Sequence, residues 1–274
     1  LPETIIEQGQ YYTKSIVTTA DGTQLIKMVV GGPSTPPAGY DRASFAIPTP
    51  VDEAYTAMLT VPAFDWHLGC SAVSGSMIAA YWDQNGFPNM YTGPTNGGVM
   101  PMDNSSWGTW TDSTGDTYGQ CPLTGSRKYL DGRRYRGSFD DYWVSYLSGI
   151  VDPFIANMWY EHTWGTAIGD YMKTSQWNYY NDDGSTTFYY YTDGSRLPCE
   201  DMDYYDIEDY DGAYGRKLFY EARGYDVAAC YTQGTNNFFP EYGFTFGQYK
   251  AEIDAGRPVM IHVIGHTMVG VGYD

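Results

Sequence analysis

The sequence is poor in basic residues and has no long apolar run. Lysine and arginine total 15 against 33 acidic residues, which gives a formal net charge of -18 and a pI near 4.3. Nucleic acids and anionic membranes carry the same sign of charge, so neither is an expected partner. No stretch is apolar over the roughly 20 residues that a membrane span needs, and no charged-then-apolar signal sequence is present. We expect an exported protein, outside the cell or on its surface, whose signal peptide has been removed.

Residues 65–86 (DWHLGCSAVSGSMIAAYWDQNG) predict a helix whose first turn carries Cys70 and which closes at Gly86. Its many small residues would let it pack close to a neighbouring sheet. At a helix N-terminus, unpaired N–H groups and the positive end of the helix dipole favour a thiolate, which is the form that attacks carbonyl carbon. The alternative is that Cys70 is a buried small apolar residue or half of a disulfide.

Residues 244–274 predict a helix followed by two strands. Thr245 and Gln248 have the spacing of a capping box, and Gly256 ends the helix. The apolar run 259–264 predicts a strand buried on both faces, interrupted by His262. Gly265 then turns the chain, and His266 begins a second strand. A histidine there is well placed to face a helix-borne thiol: a neutral imidazole can take the thiol proton, or the two can rest as a thiolate–imidazolium pair.

These two segments resemble the two halves of a cysteine peptidase site. WHLGCSAVSGSMIAAYW is similar to the nucleophile segment of papain-like cysteine peptidases, in the bacterial branch that resembles the bacteriocin-leader-processing peptidases. EIDAGRPVMIHVIGHTMVGVGYD is similar to the histidine segment of the same branch. The resemblance implies an α+β, papain-like fold in which a helix carrying the nucleophile, Cys70, packs on an antiparallel sheet carrying the base, His266.

Two positions depart from the family pattern. Where the family carries a glutamine that donates to the oxyanion, this chain has Phe64, Asp65 and Trp66. The Cys70 N–H would then supply one donor, and the Trp66 indole is a candidate for the second, although aromatic packing explains Trp66 equally well. The family's histidine-orienting Asn or Asp follows the histidine by some fifteen to twenty residues. Asp274 comes too early for that role, so we expect the chain to be truncated or processed.

The domain organisation expected from the sequence has two parts. Residues 1–52 form an N-terminal hairpin, with its turn at Asp21 and Gly22, and a proline-rich strap. This part is an accessory or pro-like segment, or else an edge ribbon of the main domain. Residues 53–274 form the papain-like domain, with a long loop-rich insertion at about 87–243.

Within the insertion, short helices are expected at 140–147, 163–173 and 213–224. Residues 177–194 (WNYYNDDGSTTFYYYTDG) predict a hairpin with its turn at 183–184, whose aromatic residues form either a stacking face for ligands or the apolar face of a sheet on the core. Asn104 begins a glycosylation sequon, a triplet that is common by chance.

Four cysteines occur, and their pairing is not determined by the sequence. If Cys70 is the nucleophile, Cys121, Cys199 and Cys230 allow one disulfide and leave one thiol over, and we predict that Cys121 pairs with Cys199. If Cys70 is paired instead, its catalytic role fails.

No cofactor is required by the expected chemistry. Structural calcium is an alternative for the acidic segment 200–212, although the EF-hand template does not fit it. The remaining histidines, His67 and His162, are isolated and are interpreted as structural. The spacing of His262 and His266 on a strand–turn–strand does not make a zinc site.

The function predicted is hydrolysis of peptide bonds in a peptide or protein substrate, by acyl transfer through Cys70 and His266. Transglutaminase-like transfer uses the same pair. A different class is also open: a catalytically inactive surface, binding or filament module that keeps the fold and self-assembles through its tyrosine-rich surface.

Overall fold

The computed structural model describes residues 1–33, 57–66, 69–111, 117–124, 167–176, 179–182 and 184–274. The helices are α1 (Cys70–Gln84), α2 (Ile168–Tyr171), α3 (Cys199–Tyr204), α4 (Gly212–Ala222) and α5 (Phe246–Asp254), with short 3₁₀ turns at Thr95–Gly98 and Ser105–Trp107. The strands are β1 (Glu3–Gln8), β2 (Tyr12–Thr18), β3 (Gln24–Val30), β4 (Ala57–Met58), β5 (Thr109–Thr111), β6 (Thr117–Gly119), β7 (Thr186–Tyr191), β8 (Leu197–Pro198), β9 (Tyr231–Thr232), β10 (Val259–Val263), β11 (His266–Gly270) and β12 (Gly272–Tyr273). These strands pair antiparallel, so the chain is an α+β protein.

A four-stranded sheet with the order β1-β2-β3-β7 joins the N-terminal hairpin to a strand more than 150 residues later in the chain. The predicted hairpin is present, with β2 and β3 paired from Tyr12 and Val30 to Thr18 and Gln24. The described residues do not form the hairpin predicted at 177–194: residues 179–182 are not a strand, and β7 pairs with β3 along its whole length. Residues 177, 178 and 183 lie outside the described ranges. The Asp-Gly turn signal is local, whereas pairing with β3 also buries the aromatic residues of β7.

The aromatic residues of β7 lie in the core on both faces of this sheet. Phe188 and Tyr190 belong to the apolar cluster that also contains residues of α1, α2 and α4. Tyr189 points to the opposite face and packs with Leu197 and Met202 in a second cluster. This alternation is the period of two expected of a strand. Of the two interpretations of these aromatics, the apolar face of a sheet on the core is therefore confirmed.

Small residues let α1 pack closely on two neighbours. A Cβ on Gly75 would lie 2.9 Å from the sulfur of Met172 and 3.3 Å from Cδ1 of Ile168 in α2, so the glycine makes room for α2. On another side Ser71 and Ser74 face β11. Both the predicted helix and its close packing are confirmed, although one of the two neighbours is a helix.

The C-terminal segment folds largely as its sequence predicts. The capping box is formed: the Gln248 N–H donates to Thr245 Oγ1 at 3.2 Å, and Gln248 Oε1 accepts from the Thr245 N–H at 2.7 Å. Beyond α5, Gly256 adopts φ +73 and turns the chain into β10, which pairs with β11. The prediction that residues 259–264 are buried on both faces is wrong. β10 is only partly buried and its last residue, Val263, is exposed, because a two-stranded ribbon covers one face alone.

The disulfide joins Cys199 to Cys230, so the predicted pair of Cys121 with Cys199 is wrong. The short strands β8 and β9 pair next to these cysteines, and the Cys199 N–H donates to the Cys230 carbonyl at 2.9 Å. Sequence spacing could not reveal this pairing, because β8 and β9 are only two residues long. Cys121 is fully buried in the main core cluster.

Two of the three short helices predicted within the insertion fall at least partly in the described residues. The helix predicted at 213–224 is α4, and the one predicted at 163–173 is helical only at Ile168–Tyr171 among its described residues. The helix predicted at 140–147, together with His67 and His162, lies outside the described residues. Within the described ranges, none of the helices combines the length and apolar character that a membrane crossing requires.

Candidate active site

Cys70 occupies the first position of α1, as the sequence predicts. Gly69 precedes it with φ 88 and has no side chain to cap the helix, and the first intrahelical bond runs from the Val73 N–H to the Gly69 carbonyl at 3.0 Å. The N–H groups of Cys70, Ser71 and Ala72 therefore lie before the first bond of the helix ladder. Only 8% of Cys70 is exposed.

Cys70 and His266 line the same cavity, whose volume is about 580 Å³. Its walls come from the start of α1, from β11, from residues 58–66 and from Gly32 and Pro33. Trp66, the candidate oxyanion donor, also lies in this wall. Among the described residues that line it, the titratable ones are Asp65, Cys70 and His266, and most of the others are apolar. The tertiary structure thus brings Cys70, His266 and Trp66, the three site residues that the sequence singled out, into one cavity.

The sulfur of Cys70 is held by the residue that follows His266. The backbone N–H of Thr267 donates to Cys70 Sγ at 3.3 Å, across 197 positions of sequence. His266 is partly exposed, and within the described part of the chain its imidazole has no hydrogen bond to Cys70 or to an Asn or Asp. Asp274 is absent from the described lining of the cavity.

Burial shifts the pKa of Cys70 and of His266 in the directions that favour their neutral forms. It raises the pKa of the Cys70 thiol, and hydrogen bonds from Thr267 and Ser71 lower that pKa by less than burial raises it. Burial also lowers the pKa of His266 from its ordinary value. Burial of the sulfur therefore opposes the thiolate that the helix N-terminus favours. A neutral thiol beside a neutral imidazole is the other of the two arrangements that the sequence left open.

The wall formed by residues 58–66 is anchored by a buried asparagine. Asn104 Oδ1 accepts from the Asp65 N–H at 2.8 Å, and its Nδ2 donates to the Gln120 carbonyl at 3.2 Å. The Ala63 N–H also donates to the Met102 carbonyl at 2.9 Å. Because Asn104 is only 1% exposed and both ends of its amide are bonded, its sequon is not an accessible glycosylation site.

Gly32 covers the sulfur of Cys70 from the side of the N-terminal hairpin. It follows β3, adopts φ +68, and a Cβ on it would lie 3.2 Å from Cys70 Sγ and 3.7 Å from Cys70 Cβ. The chain therefore passes against the thiol where only a residue without a side chain fits comfortably. Part of the burial of Cys70 comes from this contact, and the sequence holds no signal for it.

Replacing Gly32 with alanine should slow alkylation of Cys70 by iodoacetamide several-fold, because the added methyl group crowds the sulfur. The left-handed backbone should also cost about 1 kcal/mol of unfolding free energy. Gly22→Ala is the matched control, since Gly22 has φ +90 but no atom within 4 Å of an added Cβ. Mass spectrometry of the labelled chain measures the rates. Equal labelling of the two variants would show that Gly32 does not shield the thiol.

The acidic segment 200–212 serves the fold. Asp211 Oδ1 caps α4 by accepting from the N–H groups of Ala213 and Tyr214, and its Oδ2 accepts from the Tyr189 N–H of β7. Asp201 accepts from the hydroxyl of Tyr191 at 2.6 Å. Over the ranges that the structure describes, no three His, Cys, Asp or Glu side chains form a group that could hold a metal ion. The structure thus adds no support for the calcium alternative.

Sequence reasoning did not identify Thr267, Ser71 or Gly32 as parts of the site. Ser71 and Ser74 are three residues apart on α1, and this spacing is the sequence signal that both face one neighbour, which is β11. The other two come near Cys70 only through tertiary packing. Comparison with protein-family models, with curated proteins and with solved structures finds no match to this chain.

Proposed function

We propose that this protein is a papain-like cysteine peptidase that hydrolyses peptide bonds through Cys70 and His266. The observation that carries the proposal is that a helix-borne cysteine and a strand-borne histidine, 196 positions apart, line one cavity. A cysteine and a histidine at the junction of a helix N-terminus and an antiparallel ribbon are the elements that nucleophilic acyl transfer needs.

The neutral resting pair favours a general-base mechanism. His266 takes the proton of the Cys70 thiol as the sulfur attacks the peptide carbonyl carbon, which forms a C–S bond and an oxyanion. Collapse of this intermediate breaks the C–N bond, and His266 gives the proton to the leaving amine. Water, activated by the same imidazole, then hydrolyses the thioester and restores the thiol.

The start of α1 supplies donors for the oxyanion. The Cys70 N–H lies before the first intrahelical bond, and Gly69 offers no capping side chain that would compete for it. The indole of Trp66, in the same cavity wall, is proposed as the second donor.

The disulfide supports an exported protein, and the cavity lining supports a peptide or protein substrate. Disulfides persist mainly in oxidising compartments, and the Cys199–Cys230 pair leaves Cys70 outside any disulfide. The largely apolar lining of the cavity favours uncharged peptide segments. Hydrolysis without a cofactor is the chemistry that these residues support.

The proposal predicts that a peptidyl acyloxymethyl ketone labels Cys70 in a His266-dependent manner. His266→Ala should lower the labelling rate at pH 7.5 by about 100-fold, because general acid–base catalysis contributes roughly that much. Since burial lowers the pKa of His266, the acidic limb of the rate–pH profile should lie below about 6.5, the ordinary histidine pKa. Below that limb the protonated imidazole can no longer accept the thiol proton.

Ile264→Ala serves as the control for this test, because Ile264 lies in the same hairpin turn, is 69% exposed and is not among the described residues that line the cavity. It should label as the wild type does. Equal labelling of the wild type and His266→Ala would refute the Cys70–His266 pair.

A second candidate function is a non-catalytic binding or assembly module. The raised pKa of Cys70 and the contact with Gly32 favour it, because both reduce the reactivity of the thiol. A module of this kind would retain its binding or assembly after Cys70→Ala.

A further inference from the structure

The hairpin formed by β10 and β11 leaves Thr267 free to bond to α1. Val263 and His266 flank the two-residue turn as partners, and His262 and Thr267 form the next pair. In an antiparallel ribbon, hydrogen-bonded and non-hydrogen-bonded pairs alternate. The main-chain groups of Thr267 point away from β10, since both of them bond to the helix. Its side chain remains close to His262, as in a non-hydrogen-bonded pair.

Every polar atom of Thr267 is engaged. Its N–H donates to Cys70 Sγ at 3.3 Å, and its carbonyl accepts from Ser74 Oγ at 3.2 Å. Its Oγ1 lies 2.8 Å from Ser71 Oγ and 2.9 Å from His262 Nδ1. Thr267 is 2% exposed, and Ser71 is fully buried. We call Ser71, Ser74, His262 and Thr267 the Thr267 clamp.

His262 closes the inner side of the clamp. Its ring lies 4.0 Å from that of Phe188, and burial followed by the charge of Arg216 lowers its pKa to about 3, so it stays neutral. A neutral imidazole carries one N–H. The Thr267 hydroxyl has one proton for two partners, so at least one of His262 and Ser71 donates to it.

We propose that Thr267 is a positioning residue of the active site, held by Ser71 and His262 so that its N–H stays on the sulfur of Cys70 and the preceding His266 stays at the cavity mouth. This proposal rests on the proposed function. The clamp fixes β11 against the first turn of α1, next to Cys70 and His266. An N–H aimed at sulfur stabilises the thiolate more than the thiol, so the clamp acts on reactivity as well as on packing.

Thr267→Val keeps the branched shape and removes the hydroxyl, whereas Thr267→Ser keeps the hydroxyl. Without the hydroxyl, the backbone N–H of residue 267 should no longer be held on the sulfur. We therefore expect Thr267→Val to raise the pKa of the Cys70 thiol and to slow its alkylation by iodoacetamide at pH 7.5 by about tenfold, the effect of losing one hydrogen bond to a charged group. Thr267→Ser should restore the rate to within about twofold of wild type, as one retained hydrogen bond implies. The measurement is the rate of Cys70 labelling against pH, by mass spectrometry, on the full chain.

Two further variants keep the test decisive if Thr267→Val fails to fold. His262→Leu should slow labelling in the same direction, and His262→Asn, whose amide can donate or accept near the position of Nδ1, should slow it less. A labelling profile that is unchanged in Thr267→Val, or lowered equally in Thr267→Ser, would overturn the positioning role even if the melting temperature falls. The proposed function fails separately, through His266→Ala and the peptidyl ketone, because iodoacetamide labelling reports on the thiol without peptide turnover.

Discussion

Peptide hydrolysis by the purified chain should fall by about 10⁴-fold or more when Cys70 is replaced by alanine, because in the proposed mechanism its sulfur carries the acyl intermediate. The fold should tolerate the change, since Cys70 is a small residue at a helix end and alanine removes only the sulfur, which accepts from the Thr267 N–H. The measurement is mass spectrometry of the products from a synthetic peptide library, with melting temperature as the check on folding.

Cys121→Ala is the matched control for this prediction. Cys121 is the other cysteine outside the disulfide, is fully buried, and is not among the described residues that line the cavity. Its replacement should leave hydrolysis largely intact. Equal hydrolysis by the wild type and Cys70→Ala would assign the cleavage to another site or to a contaminant.

Replacing Asp211 with alanine should lower the free energy of unfolding by about 3 kcal/mol, because a helix cap is lost and a buried strand N–H loses its acceptor. Asp211 is 1% exposed and accepts from Ala213, Tyr214 and Tyr189, so it ties the start of α4 to β7. For a chain of this size, the melting temperature should drop by roughly 6 to 12 °C. Calorimetry measures both quantities.

Burial of Asp211 should also make the free energy of unfolding depend on pH. Burial raises the pKa of Asp211 from 3.8 to about 6, so its ionisation destabilises the folded state. The stability that protonated Asp211 contributes is fully present below pH 3.8 and is lost as the pH rises through 6. Asp211→Ala should remove this dependence. Asp203→Ala, which removes a charge from an exposed position of α3, should preserve it and change the melting temperature little. Similar losses in the two variants would show that general charge reduction, rather than the buried cap, is responsible.

The parts of the site that could be predicted are those with a local signal. The glycine before Cys70 and the small residues after it predict α1, and Thr245, Gln248 and Gly256 predict the limits of α5. Gly265 predicts the turn before His266. The hairpin between β2 and β3 follows from Asp21 and Gly22 in the same way. Each of these features depends on backbone conformation and capping over a few residues.

The features that the sequence did not predict are contacts between distant segments. The pairing of β7 with β3, the disulfide between Cys199 and Cys230 and the contact of Gly32 with Cys70 join residues that are far apart in sequence. The protonation state of Cys70 belongs to the same group. A helix N-terminus by itself lowers a thiol pKa, and only the packing of β11 and Gly32 around the sulfur determines that desolvation prevails.

By itself, the sequence determined the local setting of the proposed nucleophile and base: Cys70 at a helix start and His266 after a tight turn. The tertiary structure alone decided that these two residues share a cavity, that burial shifts both pKa values toward the neutral forms, and that Thr267 bonds to the sulfur. The physical reason is the distance in sequence over which each interaction acts. Helix ends and turns are set by neighbouring residues, whereas desolvation and hydrogen bonds across the chain exist only after distant segments have packed.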